Sequence, residues 1–243
     1  EARLALLANY ERARDWSHAA DVAQRLEDAE HGSFAGRLAH YLCEQSAAHL
    51  AAHDPDTAQK RLEEAIRKAP DAPRPRIDLA KLLGQRGHPA QALATLETMH
   101  SVAPAAVPLI AAQLAQLGIA SCQAQQVLDR LKGHYAESPC IDCLEAIVTL
   151  ETHLGVNPTE TRQWYLRHLE KEPSLVAASR WIASQADAQT PAQPLVQRAL
   201  DHAVKPLTRY RCAACGFEAK QHFWQCPGCQ AWDSYPARRV EEL

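Results

Sequence analysis

Residues 56–70 read D-T-A-Q-K-R-L-E-E-A-I-R-K-A-P, and residues 90–104 read A-Q-A-L-A-T-L-E-T-M-H-S-V-A-P. The two stretches share a small residue, a large apolar residue and a final proline, each 34 positions apart. The matching pairs are Ala58 with Ala92, Leu62 with Leu96, and Pro70 with Pro104. A spacing of four places the alanine and the leucine on one helix face. Proline cannot continue a helix, so it marks the end of each one.

A period of 34 with these positions indicates the helix-turn-helix unit of a tetratricopeptide repeat, in which the small residue allows two helices to approach closely. Residues 3–30 form an earlier unit, and residues 107–132 continue the pattern. One face of the earlier unit carries Trp16, Ala19, Ala23 and Leu26. Such units bury their apolar faces only by stacking, which leaves a concave groove of the kind that binds a peptide or another protein.

After Pro139 the repeat pattern weakens, although further helices bounded by prolines are still predicted. They cover residues 141–153, 159–171, 174–188 and 194–204, with Pro158, Pro173 and Pro191 as boundaries. A generic helical bundle with chance spacing is the alternative. We predict an all-α tetratricopeptide-repeat solenoid of antiparallel helix pairs over residues 1–206, followed by a small module over residues 207–243.

The module contains the pattern C-x2-C, ten residues, C-x2-C, formed by Cys212, Cys215, Cys226 and Cys229. Two such knuckles can direct four thiolates at one tetrahedral metal ion, and four protein ligands leave no position for water or substrate. We therefore predict a structural metal site in a rubredoxin-like or zinc-ribbon module. Zinc and iron both suit four thiolates, so the metal is zinc or iron at this stage.

Two local features support the module. Gly216 follows the second cysteine, where a tight turn favours a positive φ, and six of the fourteen aromatic residues lie in this segment. They are Tyr210, Phe217, Phe223, Trp224, Trp232 and Tyr235. We expect them to pack under the knuckles and onto the last repeat helices, because a module this small needs support from a metal and a neighbouring core.

Composition narrows the class of protein. The chain has 243 residues, is 47% hydrophobic and carries a formal net charge of -3, which gives no strong field toward nucleic acid or anionic lipid. Unpaired cysteines suit a reducing compartment. No apolar run approaches the ~20 residues that cross a membrane. The chain starts at Glu1 within a helical pattern and without Met, so we expect it to be a fragment.

Other chemical patterns are weak. Cys140 and Cys143 form a further C-x2-C, which we interpret as small core residues rather than a redox pair or metal site. His49 and His53 stand four apart, but Leu50 occupies the place where a zinc protease needs Glu. We interpret the basic pairs Arg74 with Arg76 and Arg238 with Arg239 as solvated surface. No catalytic set is predicted.

The combination of repeats with R-Y-R-C-x2-C-G-F and W-x-C-P-x-C-x-A-W over residues 209–232 resembles the lipopolysaccharide assembly protein B family (LapB, also called YciM). The early pattern Y-E-x4-W-x2-A-x3-A-x2-L at residues 10–26 agrees with it. The resemblance implies that Cys212, Cys215, Cys226 and Cys229 are metal ligands, and it implies no catalytic residues. The family is anchored in the bacterial inner membrane by one N-terminal helix, with its repeats on the cytoplasmic side. This chain would lack that anchor.

The resemblance also implies a role and partners. The family regulates lipopolysaccharide synthesis by promoting degradation of the LpxC deacetylase by the membrane AAA+ protease FtsH, and it is linked to assembly and export proteins. We therefore expect a non-enzymatic adaptor with protein partners and no nucleic acid, and we also consider a homodimer. The alternatives are rubredoxin-type electron transfer and a zinc-ribbon nucleic-acid-binding protein, although the chain lacks a phosphate-binding loop.

Overall fold

The structure is a computed structural model that describes residues 2–29, 34–185 and 192–243. The chain forms two compact units, residues 1–104 and residues 105–243. The described part is mainly helical, which confirms the predicted all-α class. The boundary between residues 206 and 207 stays a prediction. The predicted helix limits at residues 30, 188 and 191 lie outside the described residues.

The first unit consists of successive helices. They are α1 (Ala2–Ala13), α2 (Trp16–Glu27), α3 (Ala35–Ala51), α4 (Pro55–Lys68), α5 (Pro73–Gln85), α6 (Pro89–Glu97) and the short α7 (Met99–Val102). Several begin with proline at their first position, where the missing N–H costs no hydrogen bond. Asp54 caps α4 by accepting a hydrogen bond of 3.1 Å from the N–H of Thr57.

The second unit continues with helices and ends in a small β-containing module. A 3-10 turn (Pro104–Ala106) spans the boundary residue between the two units. The elements of the second unit are then α8 (Val107–Ala120), α9 (Ala124–Glu137), α10 (Ile141–His153), α11 (Pro158–Lys171), α12 (Leu175–Ala183), α13 (Gln193–Val204), β1 (Tyr210–Arg211), β2 (Glu218–Ala219) and a final 3-10 turn (Val240–Glu242). Within the described ranges, no helix combines the length and apolar character that a membrane crossing requires.

The repeat spacing persists further than the sequence pattern indicated. Helices α5, α8, α10 and α12 begin at residues 73, 107, 141 and 175, each 34 positions after the last. The predicted weakening after Pro139 concerns the small and large apolar residues, whereas the helix starts keep their period. The 34-residue spacing of helix starts therefore extends to α12. The apolar pattern of the sequence predicted this helix but not its place in the repeat spacing.

The predicted close approach of helices occurs at Ala58. Ala58 and Leu62 of α4 are buried, and so are Ala92 and Leu96 of α6. The hydroxyl of Ser46 in α3 donates a hydrogen bond of 3.0 Å to the carbonyl oxygen of Ala58. A larger residue at position 58 would push α3 and α4 apart, so the structure confirms the role assigned to the small position.

Arg74 and Arg76 are not solvated surface, and that prediction was wrong. Both residues are only 8% exposed at the start of α5. Arg74 bridges two carboxylates, with its Nη2 2.7 Å from Oε1 of Glu44 and its Nε 3.4 Å from Oδ2 of Asp78. Arg76 donates from Nε to Oγ1 of Thr98 at 3.1 Å. Buried charges need partners, and these partners come from residues up to 30 positions away.

Helices α8 and α9 also meet at a residue without a side chain. A Cβ added to Gly118 would lie 2.8 Å from Cγ2 of Val127, well inside van der Waals contact. The side chain of Val127 in α9 therefore occupies the space that a side chain at position 118 would need. Gly133 of α9 has no atom within 4 Å of its corresponding position.

Candidate metal centre

The four predicted ligands come together at one point. Sγ of Cys212 lies 3.8 Å from Sγ of Cys229, and Sγ of Cys215 lies 3.6 Å from Sγ of Cys226. All four sulfur atoms lie within 4.8 Å of one another. Four thiolates placed tetrahedrally at about 2.3 Å from a metal are separated by ~3.8 Å. The four sulfurs therefore could bind one metal ion, and their role as ligands remains our assignment.

The first knuckle is held by a two-stranded antiparallel ladder. Strand β1 pairs with β2, with Tyr210 opposite Ala219. In the turn that connects the two strands, the N–H of Cys212 donates to the carbonyl of Phe217 at 2.9 Å, and the N–H of Gly216 donates to the carbonyl of Cys212 at 2.9 Å. Gly216 has φ 77°, which confirms the predicted tight turn.

The second knuckle repeats this geometry. The N–H of Cys226 donates to the carbonyl of Ala231, and the N–H of Gln230 donates to the carbonyl of Cys226, both at 2.9 Å. Gln225 and Trp232 form an isolated antiparallel bridge beside it. Gln230 corresponds to Gly216 and has φ 62°, although a side chain makes this conformation less favourable. The sequence did not indicate this, but the equivalent position in the first knuckle could have.

Hydrogen bonds prepare Cys212 for metal binding. The hydroxyl oxygen of Ser234 lies 3.2 Å from Sγ of Cys212. This hydroxyl, together with the backbone N–H groups of Cys215 and Ala214, lowers the pKa of Cys212 to about 6. A thiolate is the form that binds metal, so this sulfur is available as a ligand near neutral pH. The sequence analysis did not identify Ser234.

The other knuckle treats its first cysteine in a similar way. Burial opposes ionisation of Cys226, but the backbone N–H groups of Cys229 and Gly228 outweigh burial and lower its pKa. The N–H of Phe217 favours the thiolate of Cys215, whereas burial and the three neighbouring thiols raise the pKa of Cys215 to about 12. Within the first knuckle, Cys212 is thus more acidic than Cys215. A bound cation would deprotonate the remaining thiols.

Each knuckle contributes one inner and one outer sulfur. Cys212 and Cys226 are buried, whereas Cys215 and Cys229 are exposed. Among the described residues, these four cysteines are the group of potential metal ligands whose donor atoms lie close enough together to bind one ion. The donor set suits zinc and iron alike.

Aromatic residues form a small core beneath the knuckles, as predicted. Tyr210 and Tyr235 are buried with the two inner cysteines, and Phe223 packs against them. Leu109 of α8 joins the same cluster, so the module shares its core with the helices of its unit. Three of the six predicted aromatics lie outside this cluster, since Phe217 is 44% exposed and Trp224 and Trp232 are half-buried elsewhere.

Residues 238–242, which we call the clip, attach the module to α10. The guanidinium of Arg239 makes two bonds to Asp142 at the start of α10, from Nε at 2.9 Å and from Nη2 at 2.6 Å. It also lies 4.1 Å from the ring centroid of Tyr210. Arg238 donates to the carbonyl oxygen of Pro139 at 3.0 Å and to Oγ of Ser138 at 2.7 Å. The prediction that both arginines are solvated surface was wrong.

The clip also caps two helices. A carboxylate oxygen of Glu242 accepts a hydrogen bond of 2.7 Å from the N–H of Ile141, the first residue of α10. The carboxylate of Glu241 accepts from the N–H of Val176 at 3.0 Å and from the hydroxyl of Ser174 at 2.8 Å, at the start of α12. Helix N-termini have unpaired N–H groups and a positive dipole end. Two adjacent glutamates therefore satisfy two helices.

The remaining predicted patterns do not form sites. Cys140 and Cys143 are both buried, and the sulfur of Cys140 accepts a hydrogen bond of 3.4 Å from the N–H of Cys143 at the start of α10. This agrees with their interpretation as small core residues. Helix α3 ends at Ala51, and His53 lies beyond it with φ 60°, so His49 and His53 do not share a helix face.

Two family models match the chain. A rubredoxin metal binding domain model matches residues 210–235, and a tetratricopeptide repeat model matches residues 49–117. Lipopolysaccharide assembly protein B of Escherichia coli K12 is 25% identical over 252 residues, which cover 98% of this chain and 62% of that protein. The protein of the same name from Haemophilus influenzae is 24% identical and is matched over 59% of its length. The chain thus spans about three fifths of these curated relatives.

Solved structures with similar folds are more distant. A MamA double mutant is 14% identical and matches 69% of this chain and 96% of its own, with a TM-score of 0.46. A tetratricopeptide repeat protein from Thermus thermophilus is 16% identical and matches 75% of this chain and 97% of its own, with a TM-score of 0.44.

Proposed function

We propose that the chain belongs to the lipopolysaccharide assembly protein B family and acts as a non-catalytic adaptor that regulates lipopolysaccharide biosynthesis. The two family models and a similarity along 98% of the chain support this membership. Tetratricopeptide repeats serve protein–protein interaction, and the name of the relatives connects them with lipopolysaccharide assembly. We infer that the chain promotes proteolysis of the LpxC deacetylase by the membrane protease FtsH, in contact with proteins of lipopolysaccharide assembly and export.

The metal has a structural role in this proposal. Cys212, Cys215, Cys226 and Cys229 would hold one ion of zinc or iron, and four protein ligands would leave no coordination position for a substrate. The chain's own residues do the rest. The knuckle amides stabilise the thiolates, and the aromatic core of Tyr210 and Tyr235 lies directly beneath them.

The contacts of the clip are the observation that carries the adaptor proposal. Through Arg239, Glu241 and Glu242, the module holds the starts of α10 and α12, which belong to the repeat-spaced helices. A metal site that only exchanged electrons would need no such attachment. We infer that the metal module fixes the helices of its unit in one arrangement, and that this arrangement forms part of the surface that partners bind.

We further propose that the protein works at the bacterial inner membrane. An N-terminal single-pass anchor outside this chain would hold the described helices on the cytoplasmic side, close to a membrane-bound protease. The relatives' role in lipopolysaccharide assembly favours this interpretation over electron transfer or nucleic-acid binding. A homodimer stays a prediction.

Affinity capture from bacterial membranes tests the adaptor. The bait is a full-length, anchored form of the protein as wild type, as Cys212→Ser and as Cys122→Ser. Cys122 is an exposed cysteine outside the cluster, so its variant is the matched control. We expect FtsH and LpxC to be recovered with wild type and Cys122→Ser, and to be lost with Cys212→Ser.

Two outcomes would contradict the proposal at different points. Absence of both partners from a functional, membrane-inserted wild-type bait would refute the adaptor role itself. Recovery of both partners with a Cys212→Ser protein of unchanged fold would refute the structural role of the metal while leaving the adaptor role standing.

A further inference from the structure

A cavity of about 520 Å³ lies inside the second unit, where α10 and α12 meet the segment that leads from α13 into the metal module. A cavity of this size can hold a small ligand. Five of its lining side chains are cationic, namely Arg180, Lys205, Arg209, Lys220 and Arg239. They come from separate parts of the chain, although the chain as a whole has a net charge of -3. The fold has therefore concentrated positive charge at this cavity.

Two carboxylates also line the cavity, and both are already engaged. Asp142 is bound by Arg239 at 2.6 Å and 2.9 Å. Oε1 of Glu145 lies 2.7 Å from Nε of Arg180. These two pairs neutralise two of the five cations, and neither lining carboxylate pairs with Lys205, Arg209 or Lys220.

The remaining cations are weakly paired or unpaired. Nη1 of Arg209 is 3.7 Å from Glu218, and Arg211 approaches the same carboxylate more closely, at 2.8 Å. In the part of the chain that the structure describes, no carboxylate forms an ion pair with Lys205 or Lys220. Both lysines are exposed at the cavity, where their ammonium groups can move toward a ligand.

We propose that this cavity binds a ligand that carries a pyrophosphate group or several phosphate groups. Two unpaired lysines and the weakly paired Arg209 match a multiply charged anion, whereas a peptide carboxylate would supply only one negative charge. A phosphate monoester carries about -1.5 to -2 at neutral pH, and lysine and arginine are the usual phosphate-binding residues. Ile141 and Val176 offer apolar contact to the rest of the ligand. This assignment does not depend on the adaptor role.

Isothermal titration calorimetry with inorganic pyrophosphate tests the site on the metal-loaded protein at low salt. Lys205→Ala combined with Lys220→Ala should weaken the affinity at least ~10-fold, because two charge-assisted hydrogen bonds are removed. Lys60→Ala combined with Lys68→Ala is the matched control, since both lysines are exposed, lie outside the cavity and change the net charge equally. The control should bind as wild type does.

Vesicles distinguish the source of the phosphate. Co-sedimentation with phosphatidic acid in phosphatidylcholine, compared with phosphatidylcholine alone, reports a lipid headgroup. Binding of pyrophosphate that depends on Lys205 and Lys220 supports a soluble ligand, and vesicle binding with the same dependence supports a lipid. The proposal is overturned if neither pyrophosphate nor the vesicles bind when their phosphate groups are at millimolar concentration. It is also overturned if Lys60→Ala with Lys68→Ala weakens binding as much as Lys205→Ala with Lys220→Ala.

Discussion

Arg239 and Asp142 form a two-bonded ion pair that joins positions 97 residues apart in the chain. Their side chains are only 21% and 16% exposed, so the pair is shielded from solvent on most sides. The planar guanidinium of Arg239 meets both carboxylate oxygens and also lies over the ring of Tyr210. The pair is therefore a junction between the metal module and α10.

A double-mutant cycle on this pair should show strong coupling. We expect Asp142→Ala and Arg239→Ala each to destabilise the protein, because each leaves a partly buried charge without its partner. The coupling free energy should be about 1–3 kcal/mol, as measured by urea unfolding of the metal-loaded protein. The variant Arg239→Lys should retain only part of this coupling free energy, since lysine cannot make the two parallel bonds. Additive single effects would contradict the role of the junction.

Removing one ligand should remove the metal. Cys212→Ser is expected to reduce the metal content from one ion per chain to almost none, because the site has no spare ligand among the four cysteines. The melting temperature should fall as well, since metal binding in small domains supplies about 10–16 kcal/mol of apparent stability. Elemental analysis and thermal unfolding measure both effects.

The control for that experiment is Cys122→Ser, which should keep both the metal and the melting temperature of the wild type. Elemental analysis of the wild-type protein also identifies the metal. A visible thiolate-to-iron absorption band would identify iron, and its absence together with bound zinc would argue against electron transfer. A Cys212→Ser protein that retained one tightly bound ion would contradict the four-ligand assignment.

Gly118→Ala should destabilise the contact between α8 and α9. The added methyl group would lie 2.8 Å from Cγ2 of Val127, so the helices must shift, at a cost of about 1–3 kcal/mol. Gly133→Ala is the matched control in a helix with open space, and it should stabilise the protein by about 0.5–1 kcal/mol. Chemical unfolding should thus give opposite signs for the two substitutions. Equal effects would refute the close approach.

Acid should weaken the second unit through buried histidine. His168 is 1% exposed, and its Nδ1 lies 2.7 Å from the hydroxyl of Tyr135. Burial lowers the pKa of His168 below its usual 6.5. The unfolded chain therefore binds a proton more readily than the folded chain, and stability declines as the pH falls from 6.5 through the lower folded pKa.

The decline from this histidine cannot exceed ~1.4 kcal/mol per pH unit, which is the limit for one proton. Urea unfolding between pH 7.5 and pH 5 measures it. His168→Gln removes the titrating ring, so its stability should depend less steeply on pH than that of the wild type. Burial also lowers the pKa of His134 and His222, so part of the slope should remain. An unchanged slope in His168→Gln would contradict the contribution of this residue.

The features that the sequence predicted well depend on local spacing. Ala58 and Leu62 share a helix face because of their separation alone, and the knuckle cysteines converge because each pair lies on one short turn. The contacts of Arg238 and Arg239 could not be predicted in this way. Their partners lie about 100 residues earlier in the chain, and no periodic pattern connects such distant positions.

Residue type alone is misleading at one position of the second knuckle, where only comparison with Gly216 could have indicated the conformation. Gln230 adopts φ 62° although it is not glycine. Its conformation follows from the hydrogen bond between its N–H and the carbonyl of Cys226, at 2.9 Å. Residue type favours another conformation there, and the hydrogen-bonded turn of the knuckle overrides that preference.

The caps that Glu241 and Glu242 place on α12 and α10 have a consequence for biosynthesis. The N–H of Ile141 gains its partner only when Glu242, 101 residues later in the chain, has been synthesised. At ribosomal rates of about 5–20 residues per second, that interval lasts roughly 5–20 s. Until then the N–H groups of Ile141 and Val176 lack these partners, and the two helices depend on the local caps of Cys140 and Ser174. Completion of the second unit is consequently timed by translation, and truncation before residue 241 would remove the carboxylates that supplement those two caps.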